Sequence, residues 1–203
     1  WRQRAYALGD LYDRQNLPAQ AIDCFAESNR RMAQFECPSD VDKHAYQRRI
    51  DMLRTFFSAE NIAKWDQIET SDGRQDPVFL VGFPRSGTTL LDMVLRGHPQ
   101  IAAIEELPLF SAAVDVLRTF PGGEPDAYAQ LDAEQIQQLR DTYFAEMDKS
   151  LNEAERARPV IVDKLPLNLI EAGPILRIFP NARFILALRH PCDCVLSCYM
   201  HAF

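Results

Sequence analysis

The stretch Val78–Thr89, VFLVGFPRSGTT, decides how the rest of this chain reads. Its apolar start, Val78 to Val81, predicts a buried strand. Gly82, Pro84, Arg85, Ser86 and Gly87 follow as a tight loop, and Thr88 and Thr89 open a helical pattern carried by Leu90, Leu91, Val94 and Leu95. Strand, glycine-bearing loop and helix N-terminus together present a row of backbone N–H groups to an anion. The spacing Gly82, Gly87, Thr89 matches the phosphate loop G-x-x-x-x-G-K-[ST], except that Thr88 stands at the lysine position. Without that lysine, a nucleotide triphosphatase loses its main cation on the β- and γ-phosphates. Arg85, inside the loop, can supply the positive charge instead. The stretch is therefore built for a phosphate-like group, but not for ordinary ATP chemistry.

A second stretch of the same kind is Phe184–Ser197, FILALRHPCDCVLS. A strand ends at Arg189, Pro191 forces a turn, and a helix follows with Ser197 about two turns inside it. With both stretches in hand, PRSGTT at Pro84–Thr89 resembles the 5′-phosphosulfate loop of sulfotransferases that use 3′-phosphoadenosine-5′-phosphosulfate (PAPS). The Arg189–Ser197 segment resembles the 3′-phosphate motif of the same family. Together they resemble the bacterial tetratricopeptide-repeat sulfotransferases, which are related to the tyrosylprotein sulfotransferases.

That resemblance assigns expectations residue by residue. Sulfonyl transfer requires a held phosphosulfate, a stabilised leaving oxygen and removal of a proton from the acceptor. The N–H groups of Arg85, Ser86, Gly87, Thr88 and Thr89, with the three hydroxyls among them, meet the first demand. Arg85 aims a cationic fork at the sulfonate or bridging oxygen. Arg189 and Ser197 take the 3′-phosphate, the product being 3′,5′-adenosine bisphosphate (PAP). The resemblance places the general base on Glu106 rather than Glu105, within Glu105-Glu106-Leu107-Pro108. It also places at Lys164, in VIVDKLP (Val160–Pro166), a lysine that stabilises the leaving phosphate oxygen. Read without the family, Glu106 is an acidic residue satisfying a helix dipole and Lys164 a solvated ion-pair partner of Asp163. Ser86 and Thr88 read alone are helix caps, a role compatible with anion binding.

Composition bounds the alternatives. The 203 residues, 47% of them hydrophobic, suffice for one sizeable core and a smaller satellite domain. A net charge of −7 argues against a nucleic-acid binder. Five cysteines without secretory context favour a reduced, cytoplasmic setting. Cys192, Cys194 and Cys198 read as small buried side chains, not a metal site, and no stretch is long enough for a membrane span. The chain starts at Trp1 and stops at Phe203 inside a helix-like pattern, so both ends read as cut. The family's later glycine-lysine segment is then expected beyond Phe203.

Organisation follows from periodicity. Residues 1–70 are predicted helical. Leu8, Gly9 and Tyr12, then Ala21 and Phe25, fit the tetratricopeptide pattern, with Leu8, Tyr12, Ile22 and Phe25 filling the gap between two helices. A generic helical hairpin is the plainer alternative. A helical stripe runs through Val41, Tyr46, Ile50, Leu53, Phe56 and Phe57, and Ser71 to Pro77 is a linker. Residues 77–203 are predicted as an α/β domain of P-loop type: a parallel sheet from Val78–Val81, Ile101–Ala103, Val160–Val162 and Phe184–Leu188, flanked by helices. Asp132 to Glu155 reads as one long helix and Pro121–Pro125 as an exposed loop.

The expected function is transfer of a sulfonyl group from PAPS, without metal, to an acceptor hydroxyl or amine. Protein tyrosine, glycan, lipid and small molecule all stay open as acceptors, and the helical repeat offers a groove for a peptide partner. A P-loop phosphoryl transferase is the first alternative, with Asp163 as its magnesium ligand. A non-catalytic helical-repeat scaffold is the second.

Overall fold

The computed structural model describes residues 2–35, 42, 44–65 and 73–201. Trp1, Val41, Ser71, Asp72 and Phe203, used above, lie outside the described residues. In chain order the elements are α1 (Arg2–Arg14), α2 (Pro18–Phe35), α3 (Ala45–Phe56), α4 (Ala59–Ile62), β1 (Val78–Gly82), α5 (Thr88–Arg96) and β2 (Ile101–Glu105). Next come α6 (Leu109–Leu117), α7 (Ala127–Gln130), α8 (Ala133–Ser150), α9 (Glu153–Arg156) and β3 (Val160–Lys164). A 3-10 segment (Pro166–Glu171), α10 (Ala172–Ile178), β4 (Arg183–Ala187) and α11 (Pro191–Tyr199) complete the described chain. Among the described residues, no helix is long and apolar enough to cross a membrane.

The chain divides into two compact units, and the smaller comprises residues 1–45, 84–86 and 189–203. Here α1 and α2 pack through Tyr6, Ala21 and Phe25, with Tyr12 and Met200 against them. Gly9 is required by this packing, since a Cβ there would lie 2.6 Å from the Phe25 ring. Tyr6 donates to Asn29 Oδ1, and Asn29 Nδ2 donates to the carbonyl of Tyr199 at 2.9 Å. Leu8 and Ile22, expected in the gap, are instead 43% and 41% exposed. One pair of helices buries only the stripe each turns to the other, and these two residues lie off it.

The larger unit, residues 46–83 and 87–188, holds an all-parallel sheet in the order β2-β3-β1-β4. Strand alternation sends Phe79, Val81, Ala102 and Ile104 to one face, against α6, α8 and α10. Leu80, Ala103 and Val162 go to the other, where Leu91 and Leu95 of α5 cover them. β1 is thus buried on both faces, while the edge strand β4 is only partly covered, Leu186 being 48% exposed.

Three readings are corrected here. The expected long helix is two helices, because Asn152 and Glu155 form a capping box that starts α9 afresh after Leu151. The Pro121–Pro125 loop is not simply exposed: the Glu124 carboxylate is only 8% exposed and pairs with Arg49 at 2.8 Å and Arg118 at 3.1 Å. Of the three C-terminal cysteines only Cys194 is buried, since Cys192 is exposed and Cys198 half-buried. The end of the expected linker is also pinned. Asp76 accepts from the fully buried Arg140 at 2.6 Å and from the Asn181 backbone N–H at 2.8 Å.

Candidate active site

After β1 the backbone takes two left-handed conformations, at Arg85 (φ 69°) and Gly87 (φ 101°). Gly87 caps α5, and as a glycine it has no side chain to bond the first amides of that helix. These N–H groups therefore keep their capacity for an anion. Open space surrounds the position a Gly87 Cβ would take, so glycine serves the backbone angle there, not close packing. Ser86 is 8% exposed and its Oγ has no hydrogen-bond partner. Thr88 is buried and Thr89 exposed. Ser86 does not spend its hydroxyl as a helix cap.

In the smaller unit the two arginines and the serine of the sequence reading come together. Arg85 Nε donates to Ser197 Oγ at 3.0 Å, and the Arg189 guanidinium donates to the Arg85 carbonyl at 3.2 Å. Asp193, in the first turn of α11, lies 3.7 Å from Arg189 Nε. This partner was legible as an i, i+4 pair but carried no role in the reading above.

In the larger unit, Glu105 and Lys164 end adjacent strands as register partners. Lys164 Nζ donates to Glu105 Oε1 at 3.0 Å and to Glu106 Oε1 at 2.7 Å. The Lys164 side chain is fully buried, while both carboxylates are about half exposed. Glu106 is left-handed (φ 52°), and its N–H donates to the Lys164 carbonyl at 2.7 Å. Burial opposes the charge on Lys164, but the bonds to Glu106 and Glu105 outweigh it and raise its pKa. The same ammonium holds the Glu105 carboxyl below its ordinary range. Behind them the buried Asp92 pairs with Arg96 at 2.8 Å, and Arg96 reaches Glu105 at 3.9 Å.

Asp163 does not pair with Lys164. Alternation turns it to the opposite face of β3, where it is fully buried and accepts from Tyr143 at 3.0 Å. Burial pushes its carboxyl up to about 7 against the opposing Tyr143 hydrogen bond. A residue so placed loses the role of magnesium ligand on which the phosphoryl-transfer alternative depended.

Charged side chains at the carboxyl ends of a parallel sheet lie where ligands of open α/β folds bind. A model of the sulfotransferase family matches residues 77–203, and the chain belongs to that family. It is 34% identical over 134 residues to an uncharacterized protein of Aquifex aeolicus, covering 63% of this chain and 17% of that one. It is 27% identical over 129 residues to protein-tyrosine sulfotransferase A of Caenorhabditis elegans, covering 60% and 33%. It is 29% identical over 120 residues to the nodulation protein NoeE of Sinorhizobium fredii, covering 56% and 28%. The matches thus span a third or less of these relatives' own lengths.

Proposed function

We propose that the protein transfers a sulfonyl group from PAPS to an acceptor hydroxyl. The observation that carries this reading is Lys164 Nζ held 2.7 Å from the Glu106 carboxylate at the end of β3. A paired cation and carboxylate at that edge suit a leaving-oxygen stabiliser and a general base. PAPS, when bound, supplies an activated sulfonyl group joined to a phosphate oxygen. Glu106 takes the proton of the acceptor hydroxyl as its oxygen forms a bond to sulfur. The bond between sulfur and the phosphate oxygen breaks, and Lys164 and Arg85 stabilise the charge that develops there.

Ser86 supports the fit of the nucleotide end, because its buried Oγ lacks a partner within the protein. In this reading the amides of Arg85–Thr89 and the hydroxyls of Ser86, Thr88 and Thr89 hold the phosphosulfate. Arg189 and Ser197 take the 3′-phosphate, where a guanidinium fork matches the oxygen geometry. Residues 2–35 act as one tetratricopeptide-like unit in a protein of the cytoplasm.

Calorimetric titration with PAP, 5′-AMP and ATP, without added magnesium, tests the proposal. Selective binding of PAP, lost in Arg189→Ala, is expected. A preference for ATP that requires magnesium would overturn it.

A further inference from the structure

The proposed roles leave Glu105 without one. It ends β2 as the register partner of Lys164, so the pairing of the strands fixes where its side chain stands. Glu106, one residue on, has left the strand through its left-handed turn. Lys164 Nζ bonds both, at 3.0 Å to Glu105 Oε1 and 2.7 Å to Glu106 Oε1.

The two carboxylates differ in their surroundings. Glu105 Oε2 also faces Arg96 at 3.9 Å, and the buried Asp92 anchors Arg96 at 2.8 Å from one turn back on α5. Glu105 is thus flanked by two cations, of which Lys164 is the nearer. Among the described residues, Glu106 pairs with Lys164 alone. Each added cation favours the ionised form of a carboxyl. Asp163, the neighbour of Lys164 on β3, is turned to the other face of the strand, toward Tyr143.

A carboxylate that acts as a base loses its charge in doing so. Once Glu106 holds the acceptor's proton, its attraction for the ammonium falls away. The Lys164 side chain is fully buried, so water does not replace a lost counter-ion there. Another group must hold that ammonium, charged and in place, while the leaving oxygen develops its own charge.

We propose that Glu105 is a positioning residue, the permanent counter-ion of Lys164 while Glu106 takes up the acceptor's proton. The inference rests on the sulfonyl-transfer reading. Glu105 acts through Lys164 and needs no contact with donor or acceptor. The paired strand ends carry the fixed charges, and the turn that follows carries the charge that changes.

The test begins with PAP affinity by calorimetry. Release of PAP from radiolabelled PAPS is then followed against pH, with peptide, glycan and small phenol acceptors present. Glu105→Gln keeps the size of the side chain and removes its charge. Its turnover should fall by a factor on the order of ten or more, with PAP affinity unchanged. Both limbs of its pH–rate profile should move to lower pH, because loss of a negative neighbour favours the deprotonated form of each titrating group. Glu105→Asp, which keeps the charge, should recover most of the turnover and the original profile. Carboxyl NMR of the unaltered protein gives a second reading should the Gln variant fail to fold: Glu105 stays ionised below the ordinary Glu range. Unchanged turnover or unmoved limbs in a folded Glu105→Gln, or a Glu105 that titrates in the ordinary range, would overturn the role of Glu105 alone. Failure of the unaltered protein to bind PAP or to turn over PAPS would overturn the sulfonyl-transfer reading together with it.

Discussion

Glu105 and Lys164 are register partners at the ends of β2 and β3, and their side chains meet at 3.0 Å on the face of the sheet that α5 covers. Parallel pairing alone brings them together, since partners in register project to one face. The lysine reaches Glu106 from the same position only because Glu106 takes a left-handed turn after the strand ends. One ammonium thus serves two carboxylates contributed by consecutive residues.

Lys164→Met is expected to lower turnover by a factor on the order of a hundred or more while leaving the fold intact. The methionine keeps the buried stem, and the carboxylates it deserts are half exposed and remain hydrated. Glu105 has its pKa depressed by Lys164, so it stabilises the fold above the ordinary Glu range and loses that contribution as pH falls through the depressed value. Carboxyl NMR titration of the variant should find Glu105 back in the ordinary range. A Glu105 that stays depressed would show that another cation holds it.

Asp163 predicts the opposite pH dependence. Its carboxyl is raised from 3.8 to about 7, so the folded state binds its proton more tightly than the unfolded chain. The resulting stability is complete below roughly pH 4 and is lost as pH rises through about 7. Asp163→Asn should flatten the decline in melting temperature between these limits and raise the Tm at pH 8. An unchanged slope would mean that Asp163 does not titrate there.

Arg140 is fully buried, with Asp76 and the Ile178 carbonyl as partners at 2.6 and 3.2 Å. Truncation to Ala leaves Asp76 with a buried, uncompensated charge. A loss of about 3–5 kcal/mol is expected in urea unfolding. The double variant with Asp76→Asn should recover part of that loss, and additive losses would count against the pairing.

Gly9→Ala would drive a Cβ to 2.6 Å from the Phe25 ring. The smaller unit should lose about 1–3 kcal/mol, read as earlier loss of helical signal. Gly9→Ala combined with Phe25→Leu should restore part of it by making room.

The strands were legible because each contains an apolar run of three or more residues, as strands of a covered parallel sheet do. Arg85 was legible from the loop after β1 and Arg189 with Ser197 through the family resemblance, but the meeting of all three was not, because they belong to two separate stretches of sequence. The hairpin's interior was legible at Gly9 and Phe25 but not at Leu8 or Ile22, since periodicity marks an apolar stripe without fixing which part meets a neighbour. Asp163 was misread because adjacency in sequence, within a strand, means opposite faces. Asn168 left no signal at all: an asparagine four residues past a strand resembles any turn residue, and its burial follows from how α3, α6 and the 3-10 segment close around it. Glu124 was hidden for the same reason, within a run of glycine and proline that usually marks solvent.

The central place of β1 has a consequence for biosynthesis. Its partners are β3, which meets residue 78 at residue 162, and β4, which meets it at residue 183. At about 5–20 residues per second, the ribosome leaves this apolar strand without partners for roughly 5–20 s. No local hairpin can shelter it, because every neighbour in the sheet is remote in sequence. The strand that leads into the anion loop is therefore also the one most exposed to wrong partners during synthesis. Slower growth at low temperature or a chaperone that holds nascent apolar segments should improve recovery of the folded protein.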